Sequence, residues 1–141
     1  MASKLPTVSE YMDRFIYTVS PDMQILDAVD VLLEHRVTGV PVCDKSGTVV
    51  GMMTESDCLA LVTKGHGAAP PSGKVADVMS EAHTVPPDMD VYFAAGLMLR
   101  TGYRRLVVVD SDGKLVGAVT KRDLMRVLRN LLDKEHMASR G

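Results

Sequence analysis

Apolar positions along the chain form two kinds of run, and the runs return in the same order. Ile25, Ala28, Val29, Leu32 and Leu33 fall at i, i+3, i+4, i+7 and i+8, one stripe of an amphipathic helix. Val40–Cys43 and Val49–Met53 are apolar at nearly every position, as in strands covered on both faces. Asp44-Lys-Ser-Gly47 joins them as a turn whose glycine can take positive φ, and a second helix is expected over Glu55–Thr63. Val91, Ala94, Ala95, Met98 and Leu99 repeat the stripe. Leu106–Val109 and Leu115–Val119 repeat the strands about Asp110-Ser-Asp-Gly113, and Lys121–Leu132 repeats the second helix. Ser20-Pro21-Asp22 and Pro86-Pro87-Asp88 supply helix-start chemistry ahead of each first helix.

The recurrence is a duplication. Thr18–Leu59 aligns with Thr84–Met125 at a constant offset of 66 without a gap, and fourteen of the 42 pairs are identical. Val8-Ser-Glu-Tyr-Met12 matches Val75-Ala-Asp-Val-Met79 at offset 67. The expected organisation is repeat 8–64, linker 65–73 (Gly65-His-Gly-Ala-Ala-Pro-Pro-Ser-Gly73), repeat 74–132 and a tail over 133–141. A unit of about 60 residues hides only about 60% of its unfolded surface, so each repeat needs the other. The expected fold is α/β (α+β): two βαββα repeats packed about a pseudo-twofold axis. Such symmetry generates two related clefts, and interdomain clefts are where ligands commonly sit.

The sharpest local pattern is Gly-h-h-Thr-x-x-Asp, where h is apolar. It occurs as Gly51-Met-Met-Thr54-Glu-Ser-Asp57 and again as Gly117-Ala-Val-Thr120-Lys-Arg-Asp123. It falls at a strand-to-helix junction, where orphan N–H groups and the helix dipole favour an anion. One reading is a helix cap, with Thr at the N-cap and Asp three residues on. The other is that the Asp carboxylate accepts both ribose hydroxyls of a nucleotide while Thr holds ribose or phosphate. The same residues can do both. A second pattern, His35-Arg-Val-Thr-Gly-Val-Pro41, is answered by Thr101-Gly-Tyr-Arg-Arg-Leu-Val107. Small residues such as Thr38 and Gly39 let a flat base approach the backbone, though a plain turn into a strand needs the same residues.

Charge separates the two copies. Net charge is −2, against an electrostatic nucleic-acid binder. Residues 1–70 hold 5 Lys+Arg and 9 Asp+Glu, whereas 71–141 hold 11 and 9, so the second half is the better anion host. Arg104, Arg105 and Arg122 cluster about the second motif; scattered arginines often only face solvent, but this clustering favours phosphate. Thr38, Gly39 and Ser56 stand at the matching first-copy positions. Cys43 and Cys58 read as packing residues of a reducing compartment, the four histidines are not in metal spacing, and the methionines read as core or dimer-contact filler. No Ser/His/Asp set, P-loop or GxGxxG is present, so no enzyme is expected. No apolar run suits a membrane span and no targeting segment opens the chain. The expectation is a soluble intracellular protein of cytoplasm or organelle matrix.

Two copies that each end in this motif, with strand entries His-Arg-Val-Thr-Gly-Val-Pro and Tyr-Arg-Arg-Leu-Val-Val-Val-Asp, resemble the CBS-domain pair, or Bateman module. The resemblance spans about Val8 to Leu132 and is strongest to stand-alone plant-type CBS-pair proteins. The strand entries are also similar to those of the gamma subunit of AMP-activated protein kinase. It implies that AMP, ADP or ATP, or in some members S-adenosylmethionine, binds between the copies as a regulatory ligand, with no further cofactor. It also implies homodimers in which four CBS units form a disc, and a regulated partner protein, in some plant-type members from the thioredoxin system. Carried over by residue, one cleft takes the base at Thr18, Val37, Thr38 and Gly39 and the ribose at Thr120 and Asp123, with Val40 and Ala118 also lining the ligand. Its phosphates meet Arg104, Arg105 and Arg122. The second, weaker cleft uses Thr54, Ser56 and Asp57 for ribose and phosphate, with Thr84 and Tyr103 near the base. A ligand-free dimeric interaction scaffold, or an S-adenosylmethionine-binding module, is the alternative.

Overall fold

A computed structural model describes residues 5–65 and 73–140 of the chain. Most of the expected linker, residues 66–72, lies outside the described residues. The elements run α1 (Ile25–His35), β1 (Gly39–Cys43), β2 (Val49–Thr54), α2 (Glu55–Gly65), β3 (Thr84–Val85), α3 (Val91–Thr101), β4 (Arg105–Val109), β5 (Leu115–Thr120) and α4 (Lys121–Arg140). The class is the expected α+β and the second copy shows the expected βαββα order, but in the first copy the leading strand is reduced to a single bridge. Helix α4 extends past its expected end at Leu132 through Arg140. Asp133-Lys-Glu-His-Met-Ala-Ser-Arg contains neither glycine nor proline, so nothing in it stops a helix.

Two compact units result. The first comprises Ile16–Ala82 with Asp112–Leu115; the second comprises the residues up to Phe15, His83–Ser111 and those from Val116 onward. In the first unit β1 and β2 pair antiparallel, Gly39 opposite Thr54, and Val19 joins through a single parallel bridge to Val42. In the second, the order is β3-β4-β5, with β3 parallel to β4. Strand centres are buried and their ends are not, in β1 and β4 alike. From the helical stripes, Ile25, Ala28 and Leu32 are buried with Val40, Val42 and Met53 in the first unit. Val91, Ala94 and Met98 are buried with Leu106, Val108 and Val119 in the second. Leu33 and Leu99 complete the stripe in sequence, yet are 71% and 78% exposed.

The spatial units exchange their leading turns relative to the sequence repeats. The 3-10 turn Val8–Glu10 precedes the first repeat but closes the second unit, where Val8 is fully buried and its N–H donates to the Met89 carbonyl at 2.8 Å. Val75–Asp77 precedes the second repeat and does the same in the first unit, its Val75 N–H donating to the Met23 carbonyl at 2.9 Å.

Candidate functional site

Each Gly-h-h-Thr-x-x-Asp motif is a strand that becomes a helix without a loop. Thr54 ends β2 and Glu55 begins α2; Thr120 ends β5 and Lys121 begins α4. The first helical N–H groups are therefore orphaned at the junction, and the motif satisfies one of them in each copy itself. Asp57 Oδ2 accepts the Thr54 N–H and the Thr54 hydroxyl, both at 2.8 Å, and the Asp57 N–H donates back to Thr54 Oγ1 at 3.2 Å. Asp123 Oδ2 accepts the Thr120 N–H at 2.9 Å and the Thr120 hydroxyl at 3.1 Å, and Asp123 N–H returns to Thr120 Oγ1 at 3.3 Å. The capping reading thus holds in both copies, and it fixes each carboxylate in one rotamer.

The glycine of the motif has a packing reason. A Cβ on Gly51 would stand 2.7 Å from Met79 Sδ and 3.0 Å from the Ser80 carbonyl oxygen; one on Gly117 would stand 2.7 Å from Met12 Sδ and 2.8 Å from the Asp13 carbonyl oxygen. Two of the methionines placed at apolar positions therefore lie across the motif glycines.

Around the shared cap the copies diverge. Ser80, whose backbone pairs with Met52, donates its hydroxyl to Asp57 Oδ2 at 3.0 Å. The same backbone pairing in the second unit joins Asp13 to Ala118, and Asp13 Oδ1 accepts the Phe15 N–H at 2.9 Å. Asp123 instead takes Arg126 Nη2 on Oδ1 at 2.6 Å. Asp123 is the one buried charged residue among the described residues, at 8% exposure, which is why it requires a partner. Offset 66 puts Ala60 opposite Arg126. The sequence reading missed both Ser80 and Arg126. The Asp-x-x-Arg spacing along one helix face was a legible signal for Arg126; nothing local pointed to Ser80.

The remaining expected residues fall as follows. Arg104 and Arg122 are exposed, and Arg105 is half-buried at the head of β4. Thr18 is exposed just ahead of the Val19 bridge, and Val37 and Thr38 lie between α1 and β1, with Gly39 and Val40 opening the strand. Gly39 pairs with Thr54 and the Thr38 carbonyl accepts the Glu55 N–H at 3.0 Å, so this strand entry lies beside the motif of its own copy. The residues expected at the base with Asp123 thus belong to the first unit, and their ribose and phosphate partners to the second. Ser56 is exposed on the first turn of α2, and Thr84 is exposed at the start of β3. Tyr103 stacks on His83, ring centroids 3.4 Å apart at 7°, while Tyr17 stacks on His35 at 3.7 Å and 12°. These stacks were not foreseen. Offset 66 relates Tyr17 to His83 but gives each a ring partner from a different position.

Cys43 and Cys58 are free and half-buried. Burial raises both thiols above their ordinary range, reinforced by Asp44 beside Cys43 and by Asp57 and Glu55 beside Cys58. Such thiols are poor nucleophiles. Among the described residues no helix is long and apolar enough to cross a membrane.

A duplicated α+β unit with a capped aspartate at each strand-to-helix junction defines a tandem-repeat module. The CBS domain model matches residues 8–64 and 75–130, and the chain belongs to that family. It is 34% identical over 148 residues to "CBS domain-containing protein CBSX1, chloroplastic" of Arabidopsis thaliana, across 85% of this chain and 63% of that protein. It is 30% identical to an inosine-5'-monophosphate dehydrogenase of Methanocaldococcus jannaschii, across 83% of this chain and 22% of the dehydrogenase. The chain thus spans about three-fifths of the plant relative's length. Among solved structures it is similar to CBSX2 in complex with AMP, at TM-score 0.77 and 34% identity, covering 89% of this chain and 97% of that one.

Proposed function

We propose that the chain is a non-catalytic regulatory module that binds an adenosine nucleotide (AMP, ADP or ATP) at the Thr-x-x-Asp motif of Asp123, with a second, weaker site at that of Asp57, and passes occupancy to a partner protein. The observation that carries this reading is the fixed carboxylate of Asp123, held by Thr120 at the start of a helix whose first turns add Lys121, Arg122 and Arg126. A ribose diol requires a positioned acceptor and a phosphate requires cations; both stand here within two helical turns. The similar AMP-bound structure of CBSX2 supports the ligand class. In this reading Thr18, Val37, Thr38 and Gly39 serve the base, Thr120 and Asp123 the ribose, and Arg104, Arg105 and Arg122 the phosphates, with Val40 and Ala118 also lining the ligand. Thr54, Ser56 and Asp57, with Thr84 and Tyr103, form the second site. An intracellular compartment, cytoplasm or organelle matrix, and a thioredoxin-system partner belong to the same proposal.

Thermal-shift scans with AMP, ADP, ATP and S-adenosylmethionine test it. A ligand at 100 times its dissociation constant should add about 2.7 kcal/mol. Asp123→Ala should remove most of that gain; an undiminished gain would refute the ribose contact.

Exposed apolar residues favour self-association beside ligand binding. Leu26, Leu33, Leu59 and Val62 are exposed on α1 and α2, and Tyr92, Leu99, Met125 and Leu128 at the offset-66 positions are exposed on α3 and α4. Duplication has kept the same positions apolar and uncovered in both copies, as a self-complementary homodimer face requires.

A further inference from the structure

The two motifs share a backbone and a capping box, yet their surroundings carry opposite charge. The first turn of α2 holds Glu55 and Ser56 beside Asp57, with Ala60 one turn on; the matching positions of α4 are Lys121, Arg122 and Arg126. Glu55 and Asp57 give the first motif two negative charges, whereas three cations against Asp123 leave the second with a net of two positive. A phosphate dianion therefore meets repulsion at one motif and attraction at the other.

The carboxylates differ in the same sense. Among the described residues, every hydrogen bond to the Asp57 side chain falls on Oδ2, so Oδ1 is an available acceptor. At Asp123, Oδ1 already takes the Arg126 guanidinium at 2.6 Å. A ribose hydroxyl can add to Asp57 directly. At Asp123 it must share the carboxylate with Arg126, whose side chain is 63% exposed and can turn to a phosphate on the same ligand. Only a ligand that bears an anion can make that second ion pair.

We propose that the Asp57 motif is a site for an adenosine compound without phosphate, neutral or cationic, and that the Asp123 motif is the nucleotide site. The proposal rests on the reading that both motifs hold ribose.

Titration calorimetry at low salt on the full chain tests it, with adenosine and AMP as probes on wild type, Asp57→Asn, Asp123→Asn and Glu55→Lys/Ser56→Arg. The ratio of AMP to adenosine affinity should fall at least about tenfold in Asp123→Asn and rise at least about tenfold in Asp57→Asn, each equivalent to about 1.4 kcal/mol. The double variant changes only exposed residues, so it does not depend on an altered cap. It should raise the AMP stoichiometry from one towards two per chain. Failure to gain that second AMP, or AMP and adenosine binding both motifs alike, overturns the division of ligands and leaves the ribose reading standing. Binding of neither probe to wild type removes the ribose reading and this proposal together.

Discussion

Ser80 donates its hydroxyl to Asp57 Oδ2 at 3.0 Å, and the residue at that place in the backbone pairing of the second unit is Asp13, whose Oδ1 accepts the Phe15 N–H at 2.9 Å instead. The first unit therefore tolerates its aspartate through a neutral donor, and the second through the Arg126 ion pair. Ser80→Asp should remove that donor and bring a second carboxylate to Asp57 without a cation beside it, because Ala60 stands where the second unit has Arg126. We expect a loss of about 1 kcal/mol or more at pH 7, partly restored by high salt, since the repulsion is between partly solvated charges. Adding Ala60→Arg should recover part of the loss. Urea unfolding at two salt concentrations measures both; a loss indifferent to salt would mean that shape, and not charge, decides the site.

Gly51 and Gly117 are required by what lies across them. The obstacle to a methyl group is partly a methionine thioether, which can move, and partly a backbone oxygen at 3.0 Å or 2.8 Å, which cannot without breaking the pairing of Met52 with Ser80 or of Ala118 with Asp13. Gly117→Ala should cost about 1–3 kcal/mol, the range for overpacking a filled interior, and Gly51→Ala slightly less. Urea midpoints of the two variants check the order. Equal or improved stability in Gly117→Ala would show that the Met12–Asp13 segment yields freely.

Arg36 ends α1 at φ 53° and ψ 42°, the left-handed region, where Gly102 ends α3 at φ 75°. A side chain there costs about 1–2 kcal/mol, while glycine adds about 0.5–1 kcal/mol of unfolded-chain entropy. Arg36→Gly should therefore stabilise the fold by about 0.5–1 kcal/mol, read as a higher melting temperature. A lower one would show that the arginine side chain contributes more through its contacts than its backbone loses.

Much of this architecture was legible because hydrophobic periodicity and a gapless offset of 66 are strong signals. The strands came within a residue of their observed limits, and β1 starts at Gly39 and not Val40 only because Gly39 pairs with Thr54. The capping box was legible from Thr and Asp three apart, since that chemistry is local. The exchange of Val8 and Val75 between units was not, because an alignment reports kinship of segments and not which surface each one covers. Nor was the outward turn of Leu33 and Leu99: a stripe five positions wide marks an apolar face, but not how much of it the fold covers. Ser80 reaching Asp57 depends on a backbone pairing 28 residues distant in sequence from Met52, which no spacing rule encodes.

The turn at Asp44 predicts an acid limb. The Ser46 hydroxyl, then the Thr48 N–H and the Ser46 N–H, hold the Asp44 carboxyl below the usual carboxylate range. Donors at 2.7 Å and 3.0 Å on Oδ1 favour the charged form in the folded chain. A folded-state value below the unfolded one adds stability above about pH 3.9, and this stability is lost as pH falls through the lowered folded value. Asp44→Asn retains an acceptor but cannot titrate, so its urea midpoint should fall less than that of wild type between pH 5 and pH 2. Parallel curves would mean that the turn contributes no pH dependence.

The uncovered leucines of the first unit line a groove of about 720 Å³ between α1 and α2, with Leu26, Val29, Leu33, Leu59 and Val62 on its walls. Leaving such residues in water forfeits about 1.5–3 kcal/mol for each side chain that could be buried. Their recurrence in the second unit gives one chain two such faces, enough for two copies to cover each other. Leu59→Lys with Met125→Lys places a charge on each face at positions 63% and 68% exposed, where the folded single chain has little buried surface to lose. Wild type should therefore run as a dimer by light scattering and the double variant as a monomer with unchanged circular dichroism. If the faces are instead meant for a different protein, wild type will itself be monomeric at micromolar concentration, and the homodimer proposal fails on that measurement alone.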